Sequence, residues 1–184
     1  MVLKKQVMAC ALTTGRKLPC KESVGGLSAV FFGDYGTLGN LTTTGGEVTA
    51  ISGSPTLFQY DLKGATSSLT TNVISSRDTG TTHYETTLEI TLTHLDKATA
   101  EELKLIAKAR PHIFVKDNNQ TPNYFLVGKE QGAEVTAGTV VSGANFGELS
   151  GFTLTFQAIE AIPPLFVTAS VVTGAASGTQ IDPA

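Results

Sequence analysis

The chain lacks tryptophan entirely, and it has few charged residues and few cysteines. Only 16% of its 184 residues are Asp, Glu, Lys or Arg, against roughly 25% in an average soluble protein, and its two cysteines are Cys10 and Cys20. Thr, Ser and Gly take the place of the missing charges. This composition is typical of a β protein with many turns.

Long apolar runs are also missing, and we expect no export signal. No window approaches the roughly eighteen consecutive apolar residues that a membrane span requires. The start, MVLKKQVMACALTTG, has two lysines and a short apolar patch, but Gln6 interrupts the patch before it reaches the length of a signal sequence. We therefore expect no secretion and free thiols at Cys10 and Cys20. A disulfide ranks second, and a metal site ranks last because no histidine lies near them.

The balance of charges argues against a protein that holds nucleic acid. Thirteen basic and sixteen acidic residues leave a net charge near −3. Neutralising phosphates requires clustered Lys and Arg, which this balance does not favour.

Patterns that would indicate a metal site or acid–base chemistry are not found. His83, His94 and His112 have no Cys, His or acidic partner at ligand spacing, and we expect packing or hydrogen-bonding roles for His94 and His112. Glu85 and Glu89 lie on one face of a predicted strand and could be paired carboxylates. A solvated face is favoured, because nothing apolar beside them would raise a pKa.

Nucleophile and phosphate-binding patterns are missing as well. Ser142-Gly143 and Ser150-Gly151 lack the flanking glycine of a nucleophile elbow. The glycine-rich strings TTTGGE and AGTVVSGANFG have no following Lys-Ser or Lys-Thr and no helix to present amides, so turn geometry explains them. The sequence thus predicts that the protein is not an enzyme and has no catalytic, cofactor-binding or metal-binding residue.

What is present is a strand followed by a helix, within a stretch from Thr82 to Phe156 that organises the chain. THYETTLEITLTHL alternates apolar and polar residues, as a half-buried strand does. DKATAEELKLIAKAR (96–110) is the one convincing helix, and Pro111 closes it. Thr99 and Glu102 have capping-box spacing. The helix has a narrow apolar stripe, which can cover one side or end of a β-sandwich. The stripe consists of Leu103, Ile106 and Ala107.

Several further segments are predicted strands. Residues 66–93 read as one long hairpin with a glycine-containing loop, and HIFVKD with NYFLVG reads as another. The first limb of the long hairpin is too poor in apolar residues to project alone into water. It must fold onto the domain's own sheet or pair edge-on with a neighbour.

Three other apolar patterns indicate strands and buried faces. Leu27–Tyr35 is apolar on both faces, which hints at a neighbouring subunit that covers one of them. Glu47–Ile51 is a short strand. Thr56–Lys63 is expected to bury Phe58, Tyr60 and Leu62, and the strand near residue 154 is expected to bury Phe152, Leu154 and Phe156.

The length favours a single domain. Residues 1–26 read as an irregular N-terminal arm, 27–162 as a β domain, and 163–184 as a C-terminal extension whose final dozen residues are predicted to be disordered. The predicted fold is therefore mainly β: an antiparallel β-sandwich or barrel with one flanking α-helix (about 96–110), a long β-hairpin (about 66–93) and extended terminal arms.

Three stretches resemble the tail tube proteins of bacteriophages, a group that includes the tubes of contractile injection systems. They are ACALTTGRKLPCKESVGGL, LEITLTHLDKATAEELKLIAKA and NYFLVGKEQGAEVTAGTVVSGANFGELSGFTLTFQAIEAIPP. The resemblance implies a structural virion protein, made in the host bacterial cytoplasm, that assembles into stacked, usually hexameric rings. The tube would conduct DNA during ejection. The implied partners are other copies, the tail terminator, the tape measure protein and a possible sheath.

By the same resemblance, the 66–93 hairpin would pack between rings, the arm would reach a neighbour, and the helix would lie outside the sheet. DNA would pass through without specific binding, and the mild acidity of the chain suits such a conduit. Two alternatives stay open. One is a related ring protein of a head-to-tail connector or tail terminator. The other is a monomeric β-sandwich that binds surfaces or decorates a head, against which the lack of tryptophan counts.

Overall fold

Two β-sheets pack face to face in the computed structural model, which describes residues 14–18, 21, 23–63 and 66–181. Their elements, in chain order, are β1 (Leu27–Gly33), β2 (Leu41–Thr44), β3 (Glu47–Ile51), β4 (Leu57–Asp61), β5 (Ser68–Ser76), β6 (Thr81–Thr93), α1 (Lys97–Ile106), β7 (His112–Asp117), β8 (Tyr124–Val127), β9 (Glu134–Val141), β10 (Gly151–Glu160), β11 (Leu165–Val167) and α2 (Ala169–Ala175). The larger sheet has the order β2-β3-β11-β8-β7-β1-β4, and the smaller has the order β5-β6-β10-β9. The prediction of a mainly β sandwich with a flanking helix is confirmed.

The first hydrophobic core lies between the two sheets. Leu88, Ile90 and Phe156 of the smaller sheet pack against residues such as Val30 and Val115 of the larger one, and all five are essentially inaccessible to solvent. Phe152 and Leu154 are buried in the same core, as the alternation in that strand predicts.

A second core lies on the other face of the larger sheet, where α2 covers it. Ala29 and Phe31 of β1 belong to this core, together with Phe114 and Val172. Both faces of β1 are therefore covered by the chain itself. The neighbouring subunit inferred from the two-sided apolar pattern is not needed to bury this strand.

The second core also corrects the predicted buried face of β4. Leu57 is fully buried in the second core, whereas Phe58 is 40% exposed. Tyr60 and Leu62 do pack against the first core, as predicted. Of the three residues predicted to be buried, Tyr60 and Leu62 therefore contact the first core and Phe58 is exposed.

The C-terminal segment predicted as an extension after residue 162 is part of the fold up to Ile181. Strand β11 lies between β3 and β8, parallel to β3 and antiparallel to β8. Helix α2 follows it and buries Val172, so the structure has a second helix that the sequence did not predict. Residues 182–184 lie outside the described residues.

The long hairpin predicted over 66–93 is confirmed as β5 and β6, which pair from Ser68↔Glu89 to Ser76↔Thr81. It belongs to the domain's own smaller sheet, because β6 also pairs with β10 along its length. The 112–117 and 124–127 strands form the second predicted hairpin.

The predicted arm 1–26 is described only in part, and Cys10 and Cys20 lie outside the described residues. Residues 14–18 are exposed and have no regular structure. The arm meets the body at Val24, whose backbone N–H donates to Asn119 Oδ1 (2.9 Å), and at Gly26, whose carbonyl accepts from the N–H of Asn118.

Helix α1 begins and ends inside its predicted bounds of 96–110. Asp96 is the N-cap, and its carboxylate accepts a hydrogen bond from the backbone N–H of Thr99 at 2.7 Å. The cap is therefore Asp96 and not Thr99, because the aspartate directly precedes the first turn and its carboxylate accepts from a free N–H group of that turn. Leu103 is buried in the first core, so the apolar stripe plugs the sandwich as expected.

We expect Asp96→Ala to lower the free energy of unfolding by about 1 kcal/mol, because it removes the N-cap acceptor. Glu101→Ala is a matched control on the same helix. The Glu101 carboxylate lies 3.9 Å from the Lys104 ammonium and both are exposed, so its loss should change stability little. Urea denaturation of the three proteins measures the difference. Equal stabilities for both variants would contradict the assigned cap.

Candidate assembly surface

The outer face of the smaller sheet is mostly polar and carries no Lys or Arg among its strand residues. The inward positions of β6 and β10 fill the first core, so the alternate positions point away from it. Three carboxylates lie on this outer face: Glu85, Glu89 and Glu134. The other outward residues of β6 and β10 are mostly Thr, together with His83 and the exposed Ile159, and Gln157 donates a hydrogen bond to Glu85 across the two strands. The face is therefore polar with a net negative charge.

Strands β5 and β9 form the two edges of this sheet. Both are largely exposed, and β9 carries Val140 at 69% exposure and Val141 at 37%. Neither strand pairs with another strand of the described chain on its outer side. Unpaired strand edges are templates for pairing with another chain.

The directions of the strands allow the sheet to continue from one copy to the next. Neighbouring strands of the smaller sheet are antiparallel throughout, and the number of strands is four. With an even number of alternating strands, β9 of one copy is antiparallel to β5 of a second copy placed beside it in the same orientation. The antiparallel order of the strands would therefore continue from one copy to the next.

The loop between β9 and β10 holds a phenylalanine in full contact with solvent. Phe146 has a relative exposure of 114%. The carboxylate of Glu148 fixes the loop, because it accepts hydrogen bonds from the backbone N–H groups of Ala144 (2.6 Å) and Asn145 (3.2 Å) and from the Asn145 side chain (2.6 Å). The bond from Ala144 and the bonds from Asn145 lower the pKa of Glu148. These hydrogen bonds order the loop, and the loop exposes the Phe146 side chain to solvent.

A cleft of about 400 Å³ opens beside the other edge of the sheet, next to β5. Its wall includes the apolar side chains of Val24, Leu27, Leu69, Phe125 and Pro164. Leu27 and Leu69 also contribute to the first core, so the cleft reaches the space between the sheets. We call it the β5 cleft.

Asp117 is the one charged residue among those that line the β5 cleft. Its carboxylate accepts hydrogen bonds from the backbone N–H and side-chain amide of both Asn119 and Asn123, at 2.6–3.2 Å. Burial acts to raise the pKa of Asp117, but these hydrogen bonds outweigh it and the pKa lies below its usual range. The charged carboxylate is thus the form that the fold stabilises.

We expect Asp117 to make stability depend on pH. Because its pKa is lower folded than unfolded, it stabilises the fold above the unfolded pKa, and this contribution is lost as pH falls through the folded pKa. Asp117→Asn should lose about 1–3 kcal/mol at pH 7 and correspondingly less at pH 3. Urea denaturation at both pH values measures this. Asp34→Asn, at an exposed position, is the control, and an equal loss at both pH values would contradict the prediction.

A larger cleft, of about 700 Å³, lies between β4, the end of β6 and the start of α1. Phe58, Tyr60, Asp61, His94 and Glu102 are among the residues that line it. Burial, followed by the nearby charges of Glu102 and of the N-cap aspartate, raises the pKa of Tyr60 to about 12. The Tyr60 hydroxyl therefore stays protonated at neutral pH.

The structure places the three histidines apart. His112 is buried, where its Nε2 accepts from the backbone N–H of Gly36 (3.0 Å) and its Nδ1 donates to the carbonyl of Gly128 (2.5 Å). Its ring also stacks on Tyr35 at 5.2 Å, so His112 has the packing and hydrogen-bonding role expected. His83 lies on the outer face of β6, and His94 follows β6 with a positive φ of 76°.

The other positions considered as chemical sites are parts of strands and turns. Glu85 and Glu89 lie on the solvated face of β6, as favoured from the sequence. Gly45 and Gly46 have φ of 64° and 89° and make the two-residue turn between β2 and β3, which explains the TTTGGE string. In the part of the chain that the structure describes, no group of three or more His, Cys, Asp or Glu side chains could hold a metal ion.

Sequence reasoning missed Phe146, although the signal was present: a large apolar residue stands inside the glycine-rich string GANFG.

No helix among the described residues is long and apolar enough to cross a membrane. Comparison with protein-family models, with curated proteins and with solved structures found no significant match to this chain.

Proposed function

We propose that this protein is the subunit of a bacteriophage tail tube, in which identical copies form stacked, hexameric rings around a channel for DNA. The observation that carries the proposal is the smaller sheet, which has two edges that no described strand pairs with and an outer face without Lys or Arg. The resemblance of the sequence to tail tube proteins supports the same function. The proposed location is the virion tail.

The open edges supply the contact that a ring needs. In a head-to-tail contact, the β9 edge of one copy meets the β5 edge of the next, and the same contact repeats until the ring closes. Backbone hydrogen bonds across the junction would satisfy groups that a single copy leaves to water. Closure of a sheet on itself is the general way in which β proteins remove exposed edges.

The outer face of the sheet has the chemistry of a channel lining. In a ring closed through β5 and β9, one face of the continuous sheet lines the interior. Each copy would contribute Glu85, Glu89 and Glu134 and no Lys or Arg from its strands. Phosphates bound to cationic side chains add to a binding free energy that would slow DNA passage, and a negatively charged lining avoids this.

Electron microscopy of the purified protein tests the proposal, because rings or tubes are expected at high concentration. Val140→Lys should block their formation, since a lysine on an edge strand disfavours edge pairing. Leu105→Lys is the matched control: Leu105 is 62% exposed, comparable to Val140 at 69%, but belongs to helix α1 and not to an edge strand. The control variant should assemble like the original protein.

A compact monomer under every condition would overturn the proposal. Assembly of the Val140→Lys variant would show that β9 is not the contact, even if rings form. Circular dichroism and urea denaturation should find both lysine variants folded, because both positions are exposed in the monomer.

A second candidate function is supported by the larger cleft. It combines aromatic residues, Phe58 and Tyr60, with the carboxylates of Asp61 and Glu102, which is a polar-aromatic lining suited to a small polar ligand such as a glycan. A monomeric surface-binding module would use this cleft and would leave the sheet edges unpaired. Glycan binding by a protein that stays monomeric would favour this candidate over the tube.

A further inference from the structure

We propose that the Phe146 side chain of one copy inserts into the β5 cleft of a second copy. This inference rests on the proposed ring and names the side chain and the pocket that lock its subunits together. The two features lie at opposite edges of the smaller sheet, and neither is satisfied within the described part of one chain.

Phe146 has the properties of an interface anchor. An aromatic side chain in full contact with water does not stabilise the monomer. The loop that carries Phe146 is nevertheless held by three hydrogen bonds to the Glu148 carboxylate. Rigid presentation lowers the entropy lost when a side chain becomes fixed in a complex. Aromatic anchors that enter a desolvated pocket commonly dominate the binding energy of protein interfaces.

The β5 cleft is a suitable pocket for an aromatic ring. Its volume of about 400 Å³ lies within the range of small-ligand pockets, and its wall is mainly apolar. Phe125 lines it and lies 4.9 Å, between ring centroids, from Phe166, which is 50% exposed. An incoming phenylalanine would therefore meet aromatic and aliphatic surface. It would also cover Leu69, which is only partly buried in the monomer.

The topology brings the loop and the cleft to the same end of the sheet. Strand β9 runs into the loop at Val141, which pairs with Gly151 at the start of β10. The cleft uses Ser68 and Leu69, the first residues of β5, which lie toward that same end. When the β9 edge of one copy meets the β5 edge of the next, the loop and the cleft therefore lie on the same side of the junction.

The one charged residue that lines the cleft itself, Asp117, is acidic, but the segment that leads into the cleft is basic and the loop that carries Phe146 is acidic. The segment that leads into the cleft carries exposed Arg16, Lys17 and Lys21, with Glu22 as its one acidic residue, and the loop carries Glu148. The same asymmetry holds for the whole chain. Residues 1–26 contain five basic residues and one acidic residue (net +4), whereas 27–184 contain eight basic and fifteen acidic residues (net −7). Such a division favours contacts in which the first part of one copy meets the body of another.

Disulfide trapping between two differently sized populations tests the contact. Both carry Cys10→Ser and Cys20→Ser, one adds Phe146→Cys, and the other adds Val24→Cys and a longer tag. Val24 lines the cleft and is 56% exposed, so a thiol there is accessible. Under assembly conditions with an oxidant, we expect a mixed disulfide dimer on a non-reducing gel. Leu105→Cys, in place of Val24→Cys, is the control and should give none above background.

Phe146→Ala gives an independent readout. The monomer should keep its stability, while the concentration needed for assembly should rise about thirtyfold, the loss typical of a buried aromatic anchor. Light scattering against concentration measures this. Leu105→Ala is the matched control, since it also removes an exposed apolar side chain but lies outside the contact.

The outcomes separate this inference from the proposed function. Rings that form normally with Phe146→Ala, or that give no mixed disulfide, overturn the Phe146 contact but leave the tube proposal standing. A disulfide within a single molecule carrying both Phe146→Cys and Val24→Cys at high dilution would show that the loop reaches its own cleft, which also overturns the contact. Failure of the original protein to assemble under any condition overturns both.

Discussion

Val172→Asp should unfold the protein or lower its free energy of unfolding by at least about 3 kcal/mol, because an unpaired carboxylate would have to enter the second core. Val172 is fully buried, and it is the residue through which α2 contacts that core most completely. The second core also holds Phe114, Leu126 and Val48, all three inaccessible to solvent. The expected loss is a large part of the 5–15 kcal/mol that typically stabilises a domain.

Ser170→Asp is the control for this prediction, because Ser170 lies on the same helix but is exposed. A carboxylate near the start of a helix is also favourable to the helix dipole. Thermal and urea denaturation of the two variants should therefore differ widely. If Val172→Asp were as stable as Ser170→Asp, α2 would not be part of the folded core, and the predicted domain boundary at residue 162 would hold.

Phe156→Ala is the second change with a large expected effect, about 3–5 kcal/mol, because it removes a large side chain from the centre of the first core. Phe156 is fully buried, and its ring lies 5.3 Å, between centroids, from that of Phe32 on the opposite sheet. Its loss would leave a cavity at the point where the two sheets meet. Urea denaturation measures the loss.

Phe146→Ala provides the same chemical change at a fully exposed position. In the monomer it should alter the free energy of unfolding by less than about 0.5 kcal/mol, the usual range for surface substitutions. The two phenylalanines lie on one β-hairpin, so the comparison separates packing in the core from display on the surface. A small effect of Phe156→Ala would show that the two sheets do not pack as described.

The parts of the fold that the sequence predicted are those with strong local patterns. Strand β6 alternates apolar and polar residues over its whole length, and α1 has charged ends, an apolar stripe and a closing proline. The β5–β6 hairpin follows from two extended segments with Gly80 in the turn, where φ is 65°. Each of these signals depends only on neighbouring residues.

The second core was not predicted, because it depends on contacts between distant segments. The sequence of α2, ASVVTGA, contains a glycine and two β-branched valines, and its N-cap residue Thr168 makes no side-chain cap hydrogen bond. Local preference alone would not make it a helix. Packing of Val172 against the sheet supplies the stabilisation. The burial of Leu57, which was not predicted, has the same origin, since this side chain lies in the second core.

The candidate assembly surface could be predicted only in outline. The sequence indicated that the long hairpin needs a partner, but both of its possible partners, its own sheet and a neighbour, fitted the pattern. Only the strand order shows that β6 is satisfied internally while β5 and β9 remain at the edges. The position of the β5 cleft likewise depends on Val24, Leu69 and Pro164, which are far apart in the chain.

Strand β11 has a consequence for how the protein is made. It is the last strand to be translated among those described, yet it lies between β3 and β8, and the β2–β3 ribbon joins the sheet only through it. The ribbon therefore has no place to dock until the ribosome has produced Val167. Pairings between such distant segments are slow to form, since a long loop must close first. A nascent chain thus holds an unfinished sheet until β11 has been synthesised.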